Sequence, residues 1–463
     1  MTIWTPRLED AIGPRYRAIA EAIGDAISCG ELQPDQRLPT HRALADALGV
    51  TTGTITRAYG EAERRGWVYG VVGRGTFVRG TEGGSGQWQF LESSGEGLIE
   101  LNINRPLKED RTDMLTEAMA SLAAHPADIN RLLDYQPDIG IEAHRRVICE
   151  WIARDGWRPG PEQLVISNGG QHGILIGMMA LTRAGDTVLA ESLTYPGFAA
   201  VAHQLELQVR TLDMDEQGIL PDALEHACRK HSPRVLFCTP TLQNPTTSTM
   251  SSLRRQEVLR ICEAHELMII EDDVSVGLGA GGPLPLAAMA PQRVIHIGGF
   301  SKTLAAGLRV GYLAVPESMQ VRIGDAVRAS CWMASPLTAA IVCEWIRNGS
   351  AGRLLQRQRE ELARRTKIAL ELLNGHEVRC HSGGLHLWLT LPAPWRADEF
   401  VRAAETRGVM VMGAAAFSVG CTDPPHAVRV SLSAATDLGQ LKRGLEILRD
   451  LLRNAPEPAF TVM

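Results

Sequence analysis

Five short, almost uninterrupted apolar runs, separated by stretches long enough for helices, constrain the fold of this chain most strongly. They lie at 164–166, 187–190, 235–238, 267–270 and 294–297 of the 463-residue sequence. Strands that are apolar along their whole length are typical of parallel sheets, because helices cover both faces. The sequence therefore predicts an α/β domain on a mostly parallel sheet. Such sheets bind ligands at the carboxyl ends of their strands.

The composition is that of an ordinary globular protein. Apolar residues make up 44% and charged residues 22% of the chain. We find no run of about 18 apolar residues that could span a bilayer, and the start lacks the order of a signal peptide. The nine cysteines include no Cys-x-x-Cys pair, so we expect neither a metal site nor a disulfide framework. We expect a cytoplasmic protein.

The first eighty residues follow the element order of a winged helix. Apolar positions at helical spacing predict helices at about 14–28 and 40–48, and a third that opens at 50–52. Two β-rich stretches, 66–69 and 75–78, predict a hairpin with an arginine near its tip. This order favours DNA binding. A three-helix bundle whose hairpin serves protein contacts is the alternative.

The charge of this segment permits DNA binding without requiring it. Residues 1–80 contain ten Arg, no Lys and nine acidic residues, a balance of +1 in a chain of net charge −6. A small DNA-reading module needs its arginines on one face rather than a large net charge. On the third helix, Arg57 falls opposite the apolar stripe, and Thr52 and Thr56 flank that stripe. This face could enter a major groove.

Three stretches of this segment resemble the GntR family of winged-helix regulators. They are Leu-Pro-Thr-His-Arg-Ala-Leu-Ala at 38–45, Thr-Ile-Thr-Arg-Ala-Tyr at 54–59 and Gly-Arg-Gly-Thr-Phe-Val at 73–78. The resemblance implies a DNA-binding domain at 10–80. Together with the helix face that carries Arg57, it implies these DNA-facing positions: Arg42, Thr51, Thr52, Thr54, Thr56, Arg57, Arg74 and Gly75.

One position of the third helix departs from the GntR pattern. Thr52 and Gly53 stand where the family often has arginine or serine followed by threonine. We therefore expect the base readout of this domain to differ from that of the family. After the domain, the Gly- and Ser-rich segment 81–97 predicts a flexible linker.

One lysine stands in a motif suited to an aldehyde cofactor that bears a phosphate. The chain has five lysines, and Lys302 is the only one between Lys230 and Lys367. It lies in Gly-Gly-Phe-Ser-Lys-Thr-Leu-Ala-Ala-Gly-Leu-Arg at 298–309. Its amine can form a Schiff base, while Ser301, backbone amides and Arg309 can hold the phosphate.

Other strand ends carry residues that suit the same cofactor. Gly169 and Gly170 open a helix whose amides could approach a phosphate, although a glycine turn can be purely structural. Tyr195 could stack on a planar ring or be a packed loop tyrosine. Asn244, in a Pro-bracketed loop, suits a phenolic oxygen. Asp272, if buried, would need a cation such as a pyridinium nitrogen; a solvated acidic loop is the alternative.

In this order, residues 98–455 resemble the fold-type I pyridoxal phosphate enzymes of the aspartate aminotransferase group. The resemblance implies a large domain at 98–345, which includes the N-terminal segment of the small domain, and a small α+β domain at 346–455. It implies these roles: Lys302 for the Schiff base, Asp272 for the pyridine nitrogen, Asn244 for the phenolate, Tyr195 for ring stacking, Gly169, Gly170, Ser301 and Arg309 for the phosphate, Tyr135 for the phosphate of a neighbouring subunit, and Arg429 for a substrate carboxylate.

Two positions depart from the aminotransferase pattern. Val274 and Ser275 stand where the group commonly has a tyrosine, and Gly299 replaces a usual hydroxyl residue. Losing that tyrosine removes one hydrogen bond to the cofactor phenolate. The sequence thus favours cofactor binding over efficient transamination.

A winged helix fused to an aminotransferase-like domain resembles the MocR subfamily of GntR regulators. The resemblance implies a homodimeric, pyridoxal 5'-phosphate-dependent regulator that binds a double-stranded DNA operator. It would sense an amino acid or related amine through external aldimine formation. The alternative is an active aminotransferase whose DNA-binding domain is vestigial or autoregulatory. A residual half-reaction of transamination is compatible with either.

Overall fold

The computed structural model describes residues 4–6, 14–28, 31–33, 35–64, 67–71, 75–78, 97–275, 277–279, 281–419 and 424–454. These residues form two compact units, which divide between residues 92 and 93. The predicted linker, 81–97, lies outside the described residues except for Gly97. The domain boundaries drawn from the sequence remain predictions. Within the described ranges, no helix combines the length and apolar character needed to cross a membrane.

The first unit has the predicted winged-helix order. Its elements are α1 (Arg15–Ser28), α2 (His41–Leu48), α3 (Thr52–Arg64), β1 (Val68–Val71) and β2 (Gly75–Val78). The two strands pair antiparallel, with Val68 opposite Val78. Apolar residues at helical spacing, among them Ile19, Ile23 and Ile55, are fully buried in its core.

Local hydrogen bonds fix the short helix α2 and join it to α3. The hydroxyl of Thr40 accepts from the amide of Ala43 at 3.3 Å, which caps the start of the helix. Gly49 adopts φ of 62° and ends it, a conformation that glycine reaches at low cost. The hydroxyl of Tyr59 donates to the carbonyl of Pro39 at 2.8 Å, so α3 is tied to the loop before α2.

The second unit contains thirteen helices and fifteen strands among the described residues. In chain order they are β3 (Ile99–Glu100), α4 (Thr112–Ala123), α5 (Pro126–Leu132), α6 (Glu142–Ile152), β4 (Leu164–Ser167), α7 (Gly170–Leu181), β5 (Thr187–Glu191), α8 (Pro196–Gln204), β6 (Gln208–Leu212), β7 (Met214–Asp215), β8 (Gly218–Ile219), α9 (Pro221–His231), β9 (Val235–Cys238), α10 (Ser252–Ala264), β10 (Met268–Asp272), α11 (Leu286–Met289), β11 (Val294–Gly299), β12 (Gly311–Ala314), α12 (Gln320–Cys331), α13 (Pro336–Arg347), α14 (Ser350–Leu372), β13 (Val378–Cys380), β14 (His386–Thr390), α15 (Ala397–Thr406), β15 (Val409–Met410), β16 (Met412–Gly413), β17 (Ala427–Ser431) and α16 (Leu438–Arg453).

The main sheet has seven strands in the order β4-β12-β11-β10-β9-β5-β6. All neighbours pair in parallel except β12, which is antiparallel to both β11 and β4. Successive strand residues face opposite layers: Ile269 joins one apolar cluster and Ile270 the other. The predicted mostly parallel, doubly covered sheet is confirmed. The antiparallel strand β12 was not predicted.

A smaller antiparallel sheet, in the order β13-β14-β17-β16, belongs to the C-terminal part of the chain. The early strand β3 runs along this part, because it pairs in parallel with β15. The amide of Ser431, on β17, donates to the carbonyl of Leu101 at 2.7 Å. Residues 101–105 are thereby guided to the carboxyl edge of the large sheet.

Gly298 offers a test of packing in the large sheet. A Cβ atom there would lie 2.2 Å from the ring and hydroxyl of Tyr312, which is 1% exposed on the paired strand. We expect Gly298→Ala to lower the free energy of unfolding by roughly 1–3 kcal/mol, the usual cost of overpacking, in urea denaturation of cofactor-free protein. The matched control is Gly307→Ala, where nothing lies within 4 Å of the added atom. Equal stabilities of the two variants would contradict the prediction.

Candidate functional site

Lys302 lies in a short loop after β11, at the carboxyl edge of the large sheet. The loop is closed by the amide of Phe300, which donates to the carbonyl of Val310 at 3.0 Å. The Lys302 Nζ donates to the carbonyl of Asn104 at 2.7 Å. Burial, together with the guanidinium groups of Arg429 and Arg309, lowers the pKa of Lys302 to about 8. Its amine therefore loses a proton far more readily than an ordinary lysine.

Asp272 ends β10 and is 3% exposed. One of its oxygens accepts from the amide of Val274 at 3.3 Å. Burial raises the pKa of this carboxyl to about 7, because the ionised form is poorly solvated. Among the described residues, no lysine or arginine forms an ion pair with it. A pyridinium nitrogen would supply the cation that this carboxylate lacks.

An anion cradle lies where β4 passes into α7. Gly169 has φ of 89° and precedes the first residue of the helix. The guanidinium of Arg309 donates to the carbonyl of Asn168 and to the hydroxyl of Ser301, both at 3.3 Å. A Cβ atom on Gly169 would lie 2.7 Å from that guanidinium. A helix N-terminus beside an arginine suits a phosphate.

Arg429, on β17, reaches the same edge from the smaller sheet and is 2% exposed. Its Nη1 donates to the amide oxygen of Asn244 at 2.8 Å, and its Nη2 donates to the carbonyl of Asn102. The ring of Phe417 lies 4.8 Å from the guanidinium. Burial lowers the pKa of Arg429 to about 9. Its buried Nε has no hydrogen-bond partner among the described residues.

The hydrogen bond between Arg429 and Asn244 determines which atoms of these two side chains remain available to a ligand. The amide oxygen of Asn244 is occupied by Arg429, so the NH₂ group of Asn244 is left to donate to a phenolic oxygen. The buried Nε of Arg429 would be satisfied by a ligand carboxylate, which arginine binds with two parallel hydrogen bonds. Both observations fit the predicted cofactor and a ligand that carries a carboxylate.

Tyr195 lies beside the same group of charges. It immediately precedes α8, and a Cβ atom on Gly197 would lie 2.3 Å from its ring. Burial, and then the negative charge of Asp272, raises the pKa of Tyr195 to about 12, so its ring stays neutral. Since Arg309 and Arg429 also influence this pKa, the tyrosine lies among residues that the sequence predicts for the cofactor.

Tyr135 stands apart from the buried group. Its side chain is 75% exposed, and its ring centroid lies 5.8 Å from that of Trp332, itself 56% exposed. The sequence-based expectation that it serves a neighbouring subunit stays a prediction.

Two polar networks behind the site were missed by the sequence analysis. His386 is buried. Its Nε2 lies 3.1 Å from the carbonyl oxygen of Pro245, and its Nδ1 lies 2.8 Å from the side-chain Nδ2 of Asn104. Burial lowers the pKa of His386 to about 3, so it is neutral: Nε2 donates and Nδ1 accepts. It therefore links the partner of Lys302 to the loop that carries Asn244. The only sequence signal was a histidine within an otherwise apolar strand.

The second network supports the same loop from the large sheet. Glu191, fully buried at the end of β5, accepts from the Thr239 amide at 3.2 Å and from Gln243 Nε2 at 3.3 Å. The amide oxygen of Gln243 in turn accepts from the amide of Thr246 at 2.8 Å. Burial raises the pKa of Glu191 to about 8. The buried side chains of Glu191, Gln243 and His386 thus hold the backbone on both sides of Asn244.

On the first unit, the predicted recognition helix α3 presents Thr52, Thr56 and Arg57 at its surface. Several of its hydroxyls already bond within the helix. The hydroxyl of Thr56 donates to the carbonyl of Thr52 at 3.0 Å, and the hydroxyls of Thr51 and Thr54 lie 2.9 Å apart. Among the described residues of this face, the guanidinium of Arg57 forms no hydrogen bond or ion pair and is left to donate.

The other predicted DNA-facing residues lie around this helix. Arg42 is exposed on α2. Gly75 begins β2 with φ of 114°, and a Cβ atom there would lie 2.9 Å from the side chain of Arg37. The predicted wing residue Arg74 lies outside the described residues.

A polar depression of about 330 Å³ lies at the start of α3. Its lining comprises Arg15, Tyr16, Thr51, Gly53, Thr54 and Arg57. The first two belong to α1 and were missed by the sequence analysis, since contact between two helices cannot be read from spacing alone. Two arginines beside a helix N-terminus suit a DNA phosphate.

Comparisons with known proteins identify the family of each part of the chain. Residues 96–448 match the aminotransferase class I and II family, and residues 15–78 match the gntR family of bacterial regulatory proteins. The chain is 33% identical over 450 residues to the uncharacterized HTH-type transcriptional regulator YdeF of Bacillus subtilis, with 97% of this chain and 96% of the relative covered. It is 27% identical over 430 residues to the probable rhizopine catabolism regulatory protein MocR of Rhizobium meliloti, with 86% of each covered.

Solved structures show the same fold for the second unit. An archaeal alanine:glyoxylate aminotransferase superposes with a TM-score of 0.71 at 24% identity, covering 78% of this chain and 91% of that one. The α-aminoadipate aminotransferase LysN of Thermus thermophilus, complexed with N-(5'-phosphopyridoxyl)-L-leucine, gives 0.69 at 24% identity, covering 77% and 92%. The chain belongs to the MocR subfamily of GntR-family transcriptional regulators, with a GntR winged helix followed by a pyridoxal phosphate-dependent domain of the aminotransferase class I and II family.

Proposed function

We propose that this regulator senses an amino acid, or a related amine with a carboxylate, in its aminotransferase-like domain. We further propose that it acts as a homodimer whose operator binding responds to that ligand. One observation carries the proposal. At the carboxyl edge of the large sheet, Arg429 is buried with no hydrogen-bond partner for its Nε among the described residues, and Lys302, whose pKa is lowered, lies at the same edge. When bound, pyridoxal phosphate supplies an aldehyde carbon that condenses reversibly with primary amines.

Different residues of this chain would hold different groups of the cofactor. Arg309 and Ser301, with the amides at the start of α7, would hold the phosphate. Asp272 would pair with the pyridine nitrogen, since it has no cationic partner among the described residues. Asn244 would donate its NH₂ group to the phenolic oxygen, because Arg429 already occupies its amide oxygen at 2.8 Å.

Lys302 would both attach the cofactor and move a proton. Its Nζ is held at 2.7 Å by the carbonyl of Asn104 and has a pKa near 8. It can therefore hold or release a proton near neutral pH. Arg429 would bind and orient the ligand's carboxylate, which selects carboxylate-bearing amines over simple ones.

The sensor role is supported by what replaces the usual tyrosine after Asp272. Val274 and Ser275 stand there, and the side chain of Val274 packs against the start of α7, 2.5 Å from where a Cβ atom on Gly170 would be. Neither side chain carries the phenol hydroxyl that would support the cofactor phenolate.

The aminotransferase alternative is favoured by the presence of Lys302, Asp272 and Arg429 in one cluster. Turnover with panels of amino acids and 2-oxo acids, set against operator binding with and without cofactor, separates the two functions.

The homodimer is supported by the exposed aromatic pair on the second unit. Tyr135 and Trp332 expose 75% and 56% of their surfaces. Large aromatic side chains exposed together commonly mark an interface. We propose that Tyr135 reaches the phosphate of the other subunit there, and that two winged helices per dimer read two half-sites.

Substitution of Lys302 tests whether the cofactor is attached there. In Lys302→Ala, borohydride reduction of cofactor-saturated protein should leave the whole protein unlabelled, whereas the wild type is labelled at Lys302, and the operator response to amines should be lost. The matched control is Lys367→Ala, an exposed lysine on α14, which should behave as wild type. Mass spectrometry of the reduced protein and operator titration measure both outcomes. Full labelling of the Lys302→Ala variant elsewhere would contradict the assignment.

The second prediction concerns pH. Because the pKa of Lys302 is lowered to about 8, its unprotonated fraction grows roughly tenfold per pH unit below 8 and is nearly complete above 9. The rate at which cofactor-free protein attaches pyridoxal phosphate should follow that curve, as recorded by stopped-flow absorbance. A rate that keeps rising to pH 10 would indicate an ordinary lysine.

The third prediction concerns DNA. Arg57→Ala and Arg15→Ala should each weaken binding to duplexes selected by the wild type from a random library. Loss of one phosphate contact should reduce the slope of log affinity against log salt concentration by about 1. Fluorescence anisotropy at several salt concentrations measures the slope, and a scrambled duplex is the control. Unchanged slopes in both variants would remove α3 and α1 from the DNA interface.

A further inference from the structure

Two residues of the loop that carries Asn244 have strained backbone. Leu242 and Thr247 adopt φ of 50° and 65°, in the left-handed region that residues with a side chain rarely occupy. Backbone of this kind persists only where the surrounding structure holds it, and it is common where a side chain must be aimed at a ligand. The loop, residues 239–250, therefore depends on contacts from outside it.

One buried guanidinium holds both ends of this loop. The ends meet where the amide of Met250 donates to the carbonyl of Pro240 at 2.9 Å. Arg255, on α10, is completely buried. Its Nη2 donates to the carbonyl of Pro240 at 2.9 Å and to the hydroxyl of Thr241 at 2.8 Å, and its Nε donates to the carbonyl of Met250 at 3.1 Å. These contacts fix the base of the loop relative to α10.

The same guanidinium is anchored to the strand that carries Asp272. Its Nη1 lies 3.5 Å from a carboxylate oxygen of Glu271, and both side chains are inaccessible to solvent. Glu271 in turn accepts from the amides of Leu286 and Ala287 at 2.9 and 3.1 Å, so its own orientation is fixed. Because Glu271 directly precedes Asp272 on β10, the loop and the end of that strand are tied together through Arg255.

A buried ion pair by itself adds little to stability. Removing two charges from water can cost as much as their attraction returns, and an apolar pair fills the same space equally well. An apolar pair cannot donate hydrogen bonds to the two ends of a loop, whereas a planar guanidinium with its donors in a fixed fork can. The contacts to the loop are therefore the feature that requires an arginine at position 255.

We propose that Arg255 is a positioning residue for Asn244. It holds the base of the loop so that the NH₂ group of Asn244 is kept where the phenolic oxygen of the cofactor binds, at a set distance from Asp272. Arg255 acts through the loop, because its own guanidinium is engaged inside the protein. This inference rests on the proposed function, since it uses the roles given there to Asn244 and Asp272.

The test measures the pH midpoint at which the absorbance of the bound cofactor changes as its phenolic oxygen loses a proton. A hydrogen bond donated to this oxygen favours its ionised form and lowers the midpoint. Arg255→Lys keeps a positive charge near Glu271 but lacks the fork that reaches the loop. In titrations of cofactor-saturated protein it should raise the midpoint by about 0.5–1 pH unit, the size expected for one hydrogen bond.

A double-substitution cycle separates positioning from other effects of the arginine. Asn244→Ala should also raise the midpoint, because the donor is gone. Arg255→Lys added to Asn244→Ala should then change the midpoint by less than about 0.2 pH unit, since the loop has no donor left to misplace. A shift caused by altered packing or charge would appear in both backgrounds.

Arg254→Lys is the matched control. Arg254 precedes Arg255 on α10 and is 12% exposed, but it donates to the carboxylate of Asp215 and to the carbonyl of Ile219, each at 2.8 Å. These partners lie in β7 and β8 rather than in the loop, so the midpoint should stay at the wild-type value.

A milder variant covers the case in which Arg255→Lys does not fold, as judged by urea denaturation of cofactor-free protein. Thr241→Val removes one acceptor of the guanidinium, at 2.8 Å, and leaves the arginine in place. It should raise the midpoint in the same direction by a smaller amount. An unchanged midpoint in a folded Thr241→Val variant would then overturn the inference.

Three other results would overturn it and leave the proposed function standing. They are a wild-type midpoint in Arg255→Lys, an equal shift in Arg254→Lys, and a full shift from Arg255→Lys in the Asn244→Ala background. If Asn244→Ala itself left the midpoint unchanged, the role of Asn244 would fall and this inference with it. The sensor role is decided separately, by the operator response of the wild type and Lys302→Ala to amines.

Discussion

Desolvation of charged side chains at the carboxyl edge of the large sheet is the constraint on which this protein's second unit depends. Asp272, Glu191 and Arg429 are almost completely buried there. Burying an ion without a partner is costly, and proteins respond by shifting pKa values or by pairing the charge. Here the carboxyl pKa values rise and the Arg429 and Lys302 values fall. A bound cofactor and ligand would supply the opposite charges that Asp272 and Arg429 lack in the protein alone.

The parts of this fold that follow from local patterning could be predicted from the sequence. Apolar runs located the central strands, and capping residues such as Thr40 and Gly49 located α2. The Lys302 motif and Asp272 could be singled out because a few neighbouring residues indicate their chemistry, and their roles stay predictions. Fold class and cofactor were accordingly confirmed.

The contacts that complete the site could not be predicted, because they join residues far apart in the chain. Asn104 meets Lys302 across 198 positions, and His386 meets Asn104 across 282. Each contact exists only because β3 lies along the C-terminal part of the chain. The antiparallel strand β12 was missed for a related reason: its apolar pattern is the same as that of its parallel neighbours. Spacing in sequence carries no information about such pairings.

The pairing of β3 with β15 has a mechanical consequence. Strand β3 forms a two-stranded sheet with β15 rather than joining the large sheet. Any displacement of β15 would move residues 99–100 with it, and the hydrogen bond from the amide of Ser431 joins Leu101 to β17. A strand from the beginning of the second unit is thus fastened to its C-terminal part, and the two move together.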